Sequence, residues 1–266
     1  MTPGQKAEAR IAELGIVDPR DIDIEAIAFD AGIRVEYEQL RGCAATLVGL
    51  GNRAIATIRP SGSSGRDRFS IGHELGHWEL HRGQSFQCRA DNPSDNLVSS
   101  TKLEIEADEY STHILMPSAL FHPAVKSFNW PSIKEIDEVA GLFSTSLLAT
   151  TLRLAKIDAL PVLVTCYTSQ GRRWHVAAPH VPTRWWLKEQ LDEDSFAYDL
   201  LSAGRPCDSP RKQSADAWFA NDDAEEFEIL EQCYSPIPGQ AIVVLYLSDA
   251  EMFERGYDPA VRKRRK

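Results

Sequence analysis

The pattern His-Glu-x-x-His at residues 73–77 constrains this chain more than any other feature of its sequence. The surrounding residues 66–82 carry apolar side chains at helical spacing, which a short strand could not use. In a helix, side chains four residues apart lie on one face, so His73 and His77 can reach one divalent metal with Glu74 beside them. The pattern therefore predicts a metal-binding helix, and the alternative is a surface helix with two solvated histidines.

A second predicted helix, residues 102–116, offers carboxylates for such a site. Two histidines leave room for a third protein ligand and one open position for water. Because Glu104 and Asp108 share a face, we expect Glu104 to bind the metal and Asp108 to accept the outer N–H of a ligand histidine. Glu106 points to a different face, so its substitution by glutamine should leave metal binding close to wild type. The alternative is an acidic face exposed to solvent.

The ligand set also predicts the metal and the chemistry. Two imidazoles and one carboxylate suit Zn²⁺, one ion per chain, with another divalent metal as the alternative. Glu74 is too short and misdirected to ligate well, so we expect it to act as the catalytic base that takes a proton from water. Tyr110 and His113 are near enough in sequence to stabilise an oxyanion, but the sequence favours neither. His81 is predicted to be structural or to contact a ligand, and not to bind the metal itself.

Composition limits the other functions. The net charge of −10 argues against nucleic acid as a main partner, although five bases end the chain at residues 262–266. No apolar run approaches 18 residues, and residues 1–6 lack a signal-type apolar core, so we expect a cytoplasmic protein without a membrane partner. Five widely spaced cysteines, an odd number, indicate reduced thiols.

The predicted elements define an α+β fold. In chain order they are helix 3–14, a helix ending at residue 31 and capped by Asp21 or Asp23, strand 33–38, strands 44–49 and 53–58 around Gly51-Asn52, the metal helix 66–82, a polar loop 83–98, and helix 102–116 capped by Ser99 or Ser100. A helical pair follows at residues 132–143 and 144–156, opened by a Ser132–Glu135 capping box. Strands 162–167, 172–177, 227–234 and 240–247 with helix 195–203 then indicate a separate, smaller α+β module.

Two segments together resemble one protein family. Residues 73–81 read H-E-L-G-H-W-E-L-H, and residues 104–111 and 114–117 read E-I-E-A-D-E-Y-S and I-L-M-P. This combination resembles the ImmA/IrrE family of metallo-endopeptidases, over about residues 1–125. The chain departs from the usual family pattern with Asp108 for asparagine, Tyr110 for phenylalanine, Ser111 for alanine and Ile114 for leucine.

The resemblance implies a zincin-like metallopeptidase domain at residues 1–127, followed by a helical pair at 128–157 and a smaller α+β module at 158–266. It implies that the pair is a helix-turn-helix-like segment, although a pair that braces the protease is the alternative reading. It implies a sensing or substrate-presenting role for the last module, whose own sequence carries no ligand signature.

The resemblance also implies a substrate, a helix-turn-helix repressor whose cleavage derepresses stress-response or mobile-element genes. The competing hypothesis is a module that binds a regulator or DNA on a protease-like scaffold without cutting. Glu74 argues against that hypothesis, because a scaffold needs no general base beside the metal. A toxin–antitoxin partner would share the hydrolytic chemistry and differ only in its substrate.

Overall fold

The structure is a computed structural model that describes residues 1–82, 86–88 and 101–254. The predicted basic tail and most of the predicted polar loop lie outside these residues. The chain divides into two compact units: Met1–Ser127 with Ile136–Arg153, and Phe128–Glu135 with Leu154–Lys266. Within the described residues the fold is mixed α and β with two sheets, as the sequence predicts at this coarse level. The predicted three-part division of the chain stays a prediction.

The first unit surrounds a four-stranded sheet with helices. Its elements are α1 (Pro3–Glu13), α2 (Ile24–Asp30), β1 (Ile33–Tyr37), β2 (Ala45–Leu50), β3 (Arg53–Ile58), α3 (Ser64–Leu80), β4 (Phe86–Cys88), α4 (Lys102–Leu115) and α5 (Ser118–Val125), with most of α6 (Ile133–Phe143) and α7 (Leu147–Lys156). The predicted helix around the His-Glu-x-x-His pattern is therefore confirmed as α3.

The sheet of the first unit has the strand order β1-β3-β2-β4. Strand β1 pairs with β3 in parallel, and the other pairs are antiparallel. The hairpin predicted at residues 51–52 is confirmed, and Gly51 adopts a positive φ of 64° that few other residues tolerate. The ring of Trp78 in α3 packs against Gly49 of β2, where a Cβ would come within 2.6 Å. This contact holds α3 against the sheet.

The second unit is built on a five-stranded antiparallel sheet with the order β6-β5-β9-β8-β7. Its elements are β5 (Val162–Thr168), β6 (Gly171–Ala177), α8 (Phe196–Ala203), β7 (Cys207–Ser214), β8 (Glu228–Tyr234), β9 (Gln240–Tyr246) and α9 (Glu251–Glu254). The central strands β5 and β9 are almost wholly buried. Trp174, Trp185 and Trp218 belong to the core, whereas Trp186 is half exposed.

Some sequence predictions are wrong in detail. The cap of α4 is Thr101, whose hydroxyl accepts the N–H of Glu104 three residues later, and not Ser99 or Ser100. Part of the predicted polar loop is a strand, because β4 pairs with β2. Helix α5 is not predicted, since it contains Pro123.

The Ser132–Glu135 capping box is confirmed by hydrogen bonds in both directions.

Within the described residues, no helix is both long enough and apolar enough to cross a membrane. Cys43, Cys166, Cys207 and Cys233 are free thiols.

Candidate metal centre

Helices α3 and α4 pack closely because small residues face each other where they meet. Gly72 lies against Ser111, and Gly76 lies against Ala107. The second contact lies four residues later than the first in α3 and four residues earlier in α4, so the two helices run antiparallel. Ser111 also donates its hydroxyl hydrogen to the carbonyl oxygen of Phe69 at 2.8 Å. This close approach brings the carboxylates of α4 to the histidines of α3.

Three side chains converge on one point between these helices. The Nε2 atoms of His73 and His77 lie 3.0 Å apart. The carboxylate of Glu104 reaches both, with 3.2 Å from Oε2 to His73 and 3.3 Å from Oε1 to His77. Among the described residues, this group has the composition and spacing to hold a metal ion.

The arrangement fits a tetrahedral divalent ion. Ligand atoms about 2.1 Å from such an ion lie roughly 3.4 Å from one another, close to the separations found here. Asp108 accepts a hydrogen bond from Nδ1 of His73 at 2.8 Å. Because a carboxylate can only accept, Nδ1 carries the hydrogen, and the lone pair of a neutral His73 ring is on Nε2, toward Glu104. Lone pairs that face each other in this way are stabilised by a cation.

The electrostatics agree with this fit. Burial lowers the pKa of His77, which favours the neutral imidazole that binds metals. Its contacts with His73 and His77 hold the pKa of Glu104 below its usual range, so this side chain is a carboxylate at neutral pH. His77 and Glu104 are therefore in the protonation states that metal binding requires.

Two more residues of this region are buried near the three converging side chains: Glu74 within α3, and His81 at its C-terminal end. Glu74 is wholly buried, with both carboxylate oxygens inaccessible to solvent. His81 directly follows α3, and its Nδ1 lies 3.1 Å from Nδ1 of His77. The other nitrogen of His81 lies 2.9 Å from Oε2 of Glu106. The sequence predicts Glu106 on a separate face and does not indicate this contact. The four-residue spacing from His77 to His81 indicates only that these two histidines lie on the same side of α3.

Comparison with known proteins agrees with this geometry. Residues 28–155, which contain α3 and α4, match the family model Peptidase_M78, the IrrE N-terminal-like domain. This part of the chain is therefore similar to that family. The expected resemblance to the ImmA/IrrE proteins is thereby confirmed for the IrrE-like domain.

A solved structure shares the fold beyond the IrrE-like domain. The chain resembles a Mycobacterium tuberculosis transcriptional regulator with a TM-score of 0.60 and 14% sequence identity. The likeness covers 92% of this chain and 76% of the regulator, and at this identity it concerns the fold alone. No curated protein matches the sequence significantly.

The two residues considered for oxyanion stabilisation make other contacts in the IrrE-like domain. His113 lies 2.7 Å from Oε1 of Glu8 and 3.0 Å from the guanidinium of Arg153. Tyr110 is 1% exposed and packs against Gly76, and its burial raises the pKa of the phenol. The contacts of His113 bind α4 to α1 and α7, which is a structural role.

Proposed function

We propose that the chain is a zinc-dependent endopeptidase and that its substrate is a helix-turn-helix transcriptional repressor. The convergence of His73, His77 and Glu104 beside buried Glu74 carries the hydrolytic part of the proposal. The match of residues 28–155 to the IrrE N-terminal-like family model supports it. The regulatory part rests on the family resemblance and on the similar fold of a protein described as a transcriptional regulator. Cleavage of the repressor would derepress stress-response or mobile-element genes.

Each residue has a defined task in this proposal. A zinc ion held here would supply Lewis acidity, which would lower the pKa of a water molecule and polarise the scissile carbonyl. His73, His77 and Glu104 would hold the ion, and Asp108 fixes the ring orientation and tautomer of His73. Glu74 accepts a proton from the attacking water and delivers it to the leaving amine.

The exposure of the three ligands indicates where a substrate would enter. His77 is inaccessible to solvent and His73 is 6% exposed, whereas the side chain of Glu104 is 32% exposed. The candidate centre is therefore closed on the side of α3 and open beside Glu104. A zinc site that catalyses hydrolysis needs such an open position.

The test separates metal binding from cleavage. Glu74→Gln should keep one zinc ion per chain, measured by elemental analysis, and slow cleavage of the repressor at least ~100-fold, the usual size of a general-base loss. His73→Ala and His77→Ala should lose the ion. Glu79→Gln removes a carboxylate from the same helix outside the metal centre and serves as the matched control.

The substrate should be sought first among helix-turn-helix repressors encoded beside this gene. Incubation of each repressor with the zinc-loaded protein, followed by mass spectrometry, should reveal a single cut that Glu74→Gln prevents. A repressor that the wild type binds tightly but never cuts would support the competing non-cleaving role. Cleavage at the wild-type rate by Glu74→Gln would exclude the proposed mechanism.

A further inference from the structure

The two histidines of the candidate metal centre differ in the groups that contact their Nδ1 atoms. Nδ1 of His73 contacts Asp108 directly at 2.8 Å. Nδ1 of His77 contacts another imidazole, that of His81, at 3.1 Å. Two Nδ1 atoms can share a hydrogen bond only when one carries the hydrogen and the other carries the lone pair. The chemistry of His77 therefore depends on which tautomer His81 adopts.

Glu106 determines that tautomer. Its carboxylate accepts a hydrogen bond from Nε2 of His81 at 2.9 Å, so the hydrogen of a neutral His81 is on Nε2. Nδ1 of His81 then carries a lone pair and accepts the Nδ1–H of His77. As a result, the lone pair of His77 is on Nε2, which faces Nε2 of His73 and the carboxylate of Glu104.

The surroundings hold this series of contacts in place. The side chain of His81 is 6% exposed, and its backbone N–H donates to the carbonyl oxygen of His77 at 2.8 Å. Glu106 is 28% exposed and lies 3.6 Å from the ammonium group of Lys102, which is 85% exposed. The series therefore runs from the surface of α4 to a wholly buried histidine of α3.

We infer that Glu106 and His81 are positioning residues that orient His77 for zinc, as Asp108 orients His73. This inference rests on the proposed metal centre and extends it. Partners of this kind are typically worth 10–100-fold in metal affinity or activity, about the same as the direct carboxylate partner. The three acidic residues Glu104, Glu106 and Asp108 of α4 then have different tasks around one ion.

Zinc affinity tests the inference without any substrate. The dissociation constant of Zn²⁺ for the full chain is measured by competition with a chromogenic chelator. We expect Glu106→Ala and His81→Phe to weaken binding by about 10–100-fold. The double variant should be no weaker than His81→Phe alone, because the two residues act in series. Glu106→Gln keeps an acceptor oxygen and should fall between Glu106→Ala and the wild type.

Glu109→Ala is the matched control, because it removes a carboxylate of α4 that accepts from the backbone N–H of Gly4 and does not contact His81. Thermal melts of the metal-free proteins show which variants fold. Glu106 is partly exposed, so Glu106→Ala keeps the test valid even if His81→Phe does not fold.

A second readout follows the tautomer itself. Two-bond ¹H–¹⁵N spectra should show His81 with its hydrogen on Nε2 in the wild type and a changed ring pattern in Glu106→Ala. The opposite tautomer in the wild type, or variants that bind zinc as tightly as Glu109→Ala does, would overturn the inference and leave the proposed function intact. A wild-type chain that binds no zinc would overturn the proposed function as well.

Discussion

Gly76 of α3 lies directly against the backbone of Ala107 in α4. A Cβ at Gly76 would come within 3.0 Å of the Cα and 3.1 Å of the carbonyl oxygen of Ala107. Real Cβ atoms rarely approach so closely, and a backbone cannot move aside as a flexible side chain can. The spacing between the helix that carries the histidines and the helix that carries Glu104 is therefore set by this glycine.

Gly76→Ala should force the two helices apart. We expect the free energy of unfolding to fall by about 1–3 kcal/mol, the usual cost of overpacking. We also expect weaker zinc binding, because Glu104 would move away from His73 and His77. Urea denaturation and a zinc titration measure the two effects.

Gly141→Ala provides the control for this substitution. Gly141 lies in α6, and a Cβ there would meet no atom within 4 Å. Alanine in a helix is favoured over glycine by about 0.5–1 kcal/mol, so this variant should be more stable and bind zinc normally. If Gly76→Ala behaves like Gly141→Ala, the helices are not held at their closest approach.

The sequence predicts the candidate centre better than its surroundings, and the reason is physical. The spacing of His73 and His77 within one helix is local information, because a helix places i and i+4 on one face. The same rule pairs Glu104 with Asp108 on α4. Both helices form with these residues on a common side, although metal binding itself stays a prediction.

The contact between His81 and Glu106 depends on the register of α3 against α4. No local pattern encodes that register, because residues 81–101 separate the two helices in the sequence. Strand β7 escapes prediction for a different reason: only Cys207 of its residues is buried, and an exposed edge strand shows no clear alternation. Pro210 within this strand also argues against a strand assignment.

Glu104→Gln and Asp108→Ala should affect the centre to different degrees. Glu104→Gln replaces an anionic oxygen that lies 3.2 Å from His73, so zinc affinity should fall steeply. Asp108→Ala leaves the three ligand atoms in place and removes only the acceptor for Nδ1 of His73, so the loss should be about 10–100-fold. Competition with a chelator gives both values. A larger loss for Asp108→Ala than for Glu104→Gln would contradict the assigned roles.

Glu8→Ala should destabilise the first unit without affecting zinc binding. Arg153 is 2% exposed, and its guanidinium lies 3.4 Å from Oε1 of Glu8. The same oxygen accepts from His113 and from the backbone N–H of Ser118. Removal of Glu8 leaves the buried guanidinium of Arg153 with fewer partners. Because Glu8 is itself partly exposed, we expect the free energy of unfolding to fall by about 2–3 kcal/mol.

Glu13→Ala is the control on the same helix. Glu13 pairs with Arg10 and is 69% exposed, so its loss should change the free energy of unfolding by about 0–1 kcal/mol. Urea denaturation of both variants is sufficient. Equal costs for Glu8→Ala and Glu13→Ala would mean that the buried Arg153 does not depend on Glu8.

The second unit contains a buried acid that should make its stability depend on pH. Glu231 is inaccessible to solvent, and it accepts hydrogen bonds from the indole N–H of Trp218 and the backbone N–H of Ala197, both at 2.8 Å. Burial raises the pKa of Glu231 from 4.5 to about 7, although these donors act in the opposite direction. Between these two pKa values the folded chain binds a proton that the unfolded chain has lost.

Stability should therefore decrease as the pH rises from about 4.5 to about 7, because the contribution of Glu231 is complete below the unfolded pKa and is lost as the folded pKa is passed. A shift of this size corresponds to about 3 kcal/mol in total. The measurement is urea denaturation of the wild type and Glu231→Gln across this window. Both proteins share every other titrating group, so the difference between their free energies of unfolding isolates Glu231. The free energy of unfolding of the wild type should fall with rising pH relative to that of the variant. A constant difference would show that the carboxyl group of Glu231 keeps its ordinary pKa.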